Sequence, residues 1–426
     1  MAGRQPDYST DSKALVFPAG SVAGYGHIQS LGLAGVPVAA LNPDVCDNFR
    51  SRYLCERHIV PDPTTDHEAF VQWLVEYARH QAHKPVLFMG EDVYAYIVHL
   101  YQDELSPWCL YPYIPLDKLD RFFSKQPMFE CASQAGLPLP RTLMDPAEDD
   151  LAAWDTFPAI IKPLVPRFTF RGKKLLDTTK FPQLFGGKAI WVHDRDELLA
   201  AAQNVSKADI AYLVQEYLPG PNDYFCVIKY VCDEDFEIRS VFTGRKIRQQ
   251  PADFGTCAVG SSEYVPEVHE LSARFCKAAG WIGGGGAEFK WSDRDGRWLF
   301  IEHNPRLDFW VGMCALKGVN LPLQQYLLST GQELTDVRQK DGGRVWIDVL
   351  GDRAGLKWRQ ARPEWRNSLR EIVRPYLYFN EAVFNWKDPV PGARRLARPL
   401  IGKLRRVLFP TKSAGLAGRF GKNSGQ

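Results

Sequence analysis

Short apolar runs alternate with longer amphipathic stretches over the first hundred residues. Ala14–Pro18, Pro37–Leu41 and Pro85–Met89 read as buried strands. His27–Ala34, His67–Gln81 and Asp92–Leu105 have the 3.6-residue apolar spacing of helices. Strand and helix in alternation predict a parallel sheet of Rossmann type. Gly20, Gly24 and Gly26 fall at the first strand–helix turn without the GxGxxG spacing, and Asp44 follows Asn42-Pro43 rather than ending the second strand. The unit therefore reads as structural and not as the nicotinamide site of a dehydrogenase. Gly90-Glu91-Asp92 lies at a strand's carboxyl end, where open α/β sheets bind ligands, although Asp92 serves equally well as a helix cap.

Beyond about residue 115 the order of elements changes. A helix ended by Gly136 precedes the strand Phe157–Pro163, and Gly186-Gly187-Lys188 precedes the strand Ala189–Val192. The helix Arg195–Gln203, the strand run Tyr212–Gly220, a hairpin of Tyr224–Val231 with Phe236–Phe242 and the helix Glu267–Ala279 follow. Last comes a hairpin of Gly286–Trp291 with Trp298–Glu302, turned by Ser292-Asp293-Arg294-Asp295-Gly296. Alternation puts Glu288 and Lys290 on one face of its first strand and Trp298, Phe300 and Glu302 together on its second. Pairing then sets Glu288 beside Glu302, with Asn304 two residues on. Two carboxylates and an amide oxygen suit magnesium, and an acid inside the apolar run LFIEHNPR needs such a partner. Lys162, in the apolar run FPAIIKP, likewise needs an anion. Of Arg245, Lys246 and Arg248, one or two point into the site, where an arginine grips a carboxylate; a basic outer edge is the alternative.

Composition narrows the class. A net charge of +2 excludes a general polyanion binder, so no nucleic-acid partner is expected. Nine cysteines without metal-type spacing suggest reduced thiols. The polar start MAGRQPDYSTDSK has no signal-peptide core, and no apolar run is long enough to span a bilayer. A cytoplasmic protein is the expectation. From Lys387 onward there are ten Lys/Arg and one acid, Asp388. Leu396–Phe409 reads as a basic amphipathic helix broken at Pro399, suited to the inner face of an anionic membrane, and Gly415–Gln426 reads as disordered.

Glu288 followed by Glu302-His303-Asn304-Pro305-Arg306 resembles the metal-binding end of the ATP-grasp superfamily, whose late signature is E…ExNxR. The segment SKQPMFECASQAGLPLPRT, the strand YLVQEYLPG, the run RKIRQQP and Gly318-Val319-Asn320-Leu321-Pro322 match further landmarks in the family order over about residues 14–335. The carboxylate–amine ligases related to D-aspartate ligase and the carbamoyl-phosphate-synthase-like proteins are the nearest group. The resemblance implies an α/β ATP-grasp fold, with a Rossmann-like domain ahead of two α+β lobes and a basic C-terminal extension. It divides the chain into 1–115, a first lobe 116–211, a second lobe 212–335 with the metal site, an appendage 336–386 and a tail 387–426.

The site follows from the same resemblance. Lys125 and Lys162 contact the ATP phosphates. Gln215, Glu216, Tyr217 and Leu218 form the adenine hinge, and Asp223 meets the ribose. Glu288, Glu302 and Asn304 hold Mg2+ or Mn2+. Arg306, with Arg248, faces the reacting carboxylate. The phosphate-covering loop is not recognisable in 164–188; Arg171-Gly172 and Gly186-Gly187 are both candidates. The implied reaction phosphorylates a carboxylate to an acyl phosphate, which an amine converts to an amide with release of ADP and phosphate. The substrates would be of the amino-acid, peptide or uronic-acid class, and a homodimer is compatible. A bicarbonate-using carboxylase or carbamoyl-type enzyme and a non-catalytic nucleotide-binding protein are the alternatives.

Overall fold

Three of the apolar runs near the start become buried strands of a parallel sheet covered on both faces. Its order is Leu54–Ile59, Val38–Asn42, Ala14–Phe17, Val86–Met89. The computed structural model describes residues 8–408 except 165–166, 171–172, 177–178, 252–254, 341–342, 344, 361–371 and 378. Leu54–Ile59 (LCERHI) escaped the sequence reading because it is a polar edge strand, with only Leu54 buried. The first helix, Val22–Leu33, starts earlier than expected, since the Ser21 hydroxyl accepts the Gly24 N–H at 2.9 Å and caps it. The expected helix Asp92–Leu105 is two, Asp92–Leu100 and Gln102–Leu105.

A second, antiparallel sheet runs Thr142–Met144, Tyr212–Glu216, Ala159–Pro163, Ile190–Val192. Helix Arg195–Lys207 covers it through Leu198, Ala202 and Val205. Arg167–Phe170 and Lys173–Leu176 form a separate antiparallel hairpin, whose second strand lies against helix Asp92–Leu100. Arg171-Gly172, one candidate for the phosphate-covering loop, lies outside the described residues.

The third sheet has eight strands and carries most of the site. Arg297–Asn304, Gly283–Ser292, Phe225–Cys232, Ile238–Gln250 and Thr256–Ser262 are antiparallel neighbours in that order. Ile238–Gln250 is longer than expected, because the basic run at 245–248 continues the strand. Val345–Ile347 and Phe379–Glu381 extend the sheet, so these two stretches of the Trp- and Arg-rich segment build onto it. The helix Pro389–Leu408 docks back on the first domain: Arg394 and Arg398 reach Asp47 at 3.3 and 2.7 Å, and buried Asp388 accepts from Ser51 Oγ at 2.6 Å. The expected disordered end, Gly415–Gln426, lies outside the described residues.

One apolar core joins the first sheet, helix Lys125–Gln134 and the third sheet. Phe122, Met128 and Phe129 pack with Phe275, Phe289 and Phe300, seating helix Lys125–Gln134 beneath the last hairpin. Gly286 is required by close approach: a Cβ there would sit 2.6 Å from Lys229 Nζ and 2.5 Å from the Ile228 carbonyl oxygen.

Candidate active site

Regular alternation does not put Glu302 beside Glu288. Trp291 pairs with Trp298, Lys290 with Leu299 and Phe289 with Phe300; continued, this register would set Ile301 opposite Glu288. A bulge between Glu288 and Phe289 adds one residue, so Glu288 pairs with Glu302 and Gly286 with Asn304. Phe300 is thereby buried in the aromatic core, while Ile301, Glu302 and Asn304 line a cavity. The expected shared face of Trp298, Phe300 and Glu302 is thus corrected: Glu302 leaves the other two.

The cavity has a volume of about 690 Å3 and draws its wall from the second and third sheets and from the segments that follow two strands of the first. Lys125, Lys162, Gln215, Glu216, Tyr217, Leu218, Glu288, Glu302, Asn304 and Arg306, spread over nearly two hundred residues of sequence, all border it. Lys125 Nζ is 3.5 Å from Glu302 and Lys246 Nζ 2.6 Å from Glu288. Burial pushes the Glu302 carboxyl up, but Lys125, Lys162, Lys246 and Lys188 overcome it and hold the group at about 2. Glu302 is therefore ionised at neutral pH. Among the described residues no three His, Cys, Asp or Glu side chains converge. Two carboxylates and the Asn304 amide are the available hard donors, a set that fits magnesium sharing its shell with substrate phosphates.

Lys162 is half-buried and donates to Gln215 Oε1 at 3.3 Å. Burial, then the neighbouring Lys125, bring its ammonium down to about 8. At the far end, the Glu216 carboxylate is buried and turned away, taking Arg294 bidentately at 2.7 and 3.1 Å and the Arg141 N–H at 2.9 Å. The strand end at 215–218 is pinned by this side chain. The Lys290 ammonium, two residues from Glu288, donates to the Leu218 carbonyl at 2.5 Å and sits between the Tyr217 and Phe225 rings.

Arg306 is held from both sides. Its Nε lies 2.8 Å from Asp92 of the first domain and its Nη1 3.2 Å from Asp308, which also receives the fully buried Lys229 at 2.7 Å. Burial opposes its charge, and Asp92 and Asp308 more than compensate, raising the guanidinium above its ordinary value.

Two expected residues do not join this wall. A bulge between Lys246 and Arg248 turns Arg248 away, into a buried bidentate pair with Asp352 at 2.6 and 2.7 Å. Lys246 takes the place facing the cavity; the basic run offered both, and only the bulge decides. Arg245 pairs outward with Glu263. Asp223 is exposed and off the cavity wall, its carbonyl accepting from Arg245 at 3.4 Å. Lys188, Lys290 and Asp308 border the cavity without having been singled out; Lys290 carried a signal, a lysine on the same face as Glu288.

No protein-family model matches the chain. The D-aspartate ligase of Enterococcus faecium (strain Aus0004) is 23% identical over 306 residues, 66% of this chain and 69% of that protein. Among solved structures, the biotin carboxylase domain of Hydrogenobacter thermophilus 2-oxoglutarate carboxylase, in complex with MgADP and bicarbonate, aligns with a TM-score of 0.60 at 15% identity, covering 79% of this chain and 74% of that one. N5-carboxyaminoimidazole synthetase from Staphylococcus aureus gives 0.59 at 14%, covering 86% and 89%. L-amino acid ligase from Bacillus licheniformis gives 0.55 at 14%, covering 77% and 76%. The cavity lies where the second and third sheets meet the turns that follow strands of the first. The chain shares the ATP-grasp fold of these proteins.

Proposed function

We propose that the protein is an ATP-dependent ligase that joins a carboxylate to an amine through an acyl phosphate, releasing ADP and phosphate. The observation that carries this is the gathering of hinge, lysines, paired carboxylates and Arg306 on one cavity. The hinge backbone at 215–218 would take the adenine. Lys125 and Lys162 neutralise phosphate charge, and Arg306 holds the carboxylate where oxyanion charge develops. Magnesium, or manganese in its place, fits Glu288, Glu302 and Asn304, and when bound would neutralise charge on the transferring phosphoryl group. The D-aspartate and L-amino acid ligases among the similar proteins favour an amino acid as one substrate.

The test is incubation with ATP, magnesium, hydroxylamine and panels of amino acids, dipeptides and uronic acids. ADP and a hydroxamate should form with the right acid. AMP and pyrophosphate would mean adenylation and overturn the reading. ADP release that requires bicarbonate would favour carboxylation, the chemistry suggested by the carboxylases among the structural neighbours.

Lys162 gives a pH prediction. Its ammonium titrates near 8 in the free protein, and a phosphate beside it raises its proton affinity. Nucleotide binding should therefore weaken as pH rises through about 8 and take up a proton there. Calorimetry in buffers of different ionisation enthalpy reads that uptake, which Lys162→Arg should abolish. Pure pH-independence in the native protein would contradict the assignment.

No helix among the described residues is long and apolar enough to cross a membrane. We also propose a cytoplasmic protein resting on the inner face of an anionic membrane, with or without dimerisation. The ten Lys/Arg after residue 386 and Trp386, 87% exposed, support contact with such a surface. Deleting 400–426 keeps the ion pairs to Asp47 and should leave ADP formation intact while reducing co-sedimentation with phosphatidylserine vesicles. Equal sedimentation of both forms would reject membrane contact.

A further inference from the structure

The ligase reading leaves one chemical need unmet. An amine at neutral pH is an ammonium, with no lone pair for attack. Turning acyl phosphate and ammonium into amide and hydrogen phosphate releases one proton. The nitrogen begins with three hydrogens, keeps one in the amide and sends one away with the phosphate. The third must leave before the nitrogen can form its bond to the acyl carbon and the C–O bond to phosphate can break. A carboxylate at the nucleophile's side of the cavity would take it.

The described acids bordering the cavity are Glu91, Asp92, Glu216, Glu288, Glu302 and Asp308. Five are engaged. Glu216 holds Arg294, Glu288 holds Lys246 and Glu302 faces Lys125. Asp92 and Asp308 grip Arg306. Among the described residues Glu91 has no such partner. It precedes helix Asp92–Leu100 as its N-cap residue, yet its side chain makes no capping bond. It stands at the carboxyl end of strand Val86–Met89, next to the residue that anchors Arg306, and is exposed at the cavity mouth.

We propose that Glu91 is the residue that receives the amine substrate, pairing with its ammonium and accepting the proton that frees the nucleophilic nitrogen. An amine bound there approaches from the first domain, while Arg306 holds the acyl group on the opposite strand end. The charged groups around Glu91 are Asp92 on its own helix, Arg306 from the loop after the last site strand and Asp62 from the loop after Leu54–Ile59. Though Glu91 is exposed at the mouth, desolvation by the surrounding cavity wall pushes its carboxyl up; Arg306 opposes this, and Asp92 and Asp62 add to it. The net direction favours a proton acceptor over a permanently ionised group.

The proposal rests on the ligase reading, and two nucleophiles separate the fates of the two. Hydroxylamine is largely unprotonated at neutral pH and needs no base; ammonia is almost wholly ammonium. With the acid that gives the best hydroxamate yield, Glu91→Gln should cost hydroxamate and coupled ADP formation far less than it costs amide formation from ammonia. Amide formation from ammonia should fall about a hundredfold or more. It should recover as pH rises and free ammonia accumulates, so the native and variant pH profiles converge. Glu91→Ala should behave alike, and an unchanged melting temperature in both guards against misfolding. Equal loss with both nucleophiles would place Glu91 in phosphoryl transfer or folding and overturn the proposal, as would unchanged amide formation. If the native protein gives no hydroxamate with any acid, the ligase reading itself fails.

Discussion

Replacing Glu302 by Gln should lower ATP turnover by roughly a thousandfold, about 4 kcal/mol, while leaving the fold intact. The substitution keeps the volume and the strand pairing with Glu288 but removes the charge. In the native protein that charge persists at neutral pH because four lysines outweigh the cost of burial. Without it, Lys125 and Lys162 face the cavity with one carboxylate fewer. The amide could still bind nucleotide phosphate through these lysines, so ADP affinity measured without metal should not fall with turnover. Steady-state ADP release and metal-free ADP titration give the two numbers. Native turnover in the variant would remove Glu302 from the proposed metal site.

The largest stability effect is expected at Asp308. Its carboxylate is the meeting point of Lys229, which has no exposure at all, and Arg306. Asp308→Ala would strand a lysine among apolar strands, and breaking such a buried pair from one side costs about 3–5 kcal/mol. The denaturation midpoint should fall accordingly, and Lys229→Met in the same chain should recover much of the loss because no unpaired charge then remains. The sign of the pH dependence also follows. Burial raises the Asp308 carboxyl, but Lys229 and Arg306 dominate and hold it below the ordinary carboxylate range. Its stabilisation is therefore present above the unfolded value and lost as pH falls through the folded one. Asp308→Ala should flatten that acid limb. An equally stable single variant would show that the pair contributes nothing net.

Most of the site was legible because its chemistry is written in residue types that have few other uses. A lysine inside AIIKP and an acid inside LFIEHN must find partners, and these positions lie on the cavity. The apolar runs Ala14–Phe17 and Val86–Met89 announced the first sheet for the same reason. What escaped was set by local register. Period-two reasoning gives Glu302 the face of Phe300, and it treats Lys246 and Arg248 as equivalent; each error is a single bulged residue. Leu54–Ile59 escaped because an edge strand need bury only one side chain. Asp352, which claims Arg248, is separated from it by about a hundred residues, and nothing local forecasts that pairing.

The bulge beside Glu302 has a dielectric consequence. Two successive side chains, Ile301 and Glu302, border the cavity where a regular strand would offer one. The isoleucine adds hydrocarbon to the wall beside Glu302 and leaves less room for water there. Attraction between Glu302 and a cation scales inversely with local permittivity, and a fall from about 80 to about 20 strengthens it roughly fourfold. Mobile ions do not penetrate such a wall, so this part of the site should respond weakly to added salt. Ile301→Ser would readmit water without touching any charge, and its signature should be turnover that becomes sensitive to ionic strength.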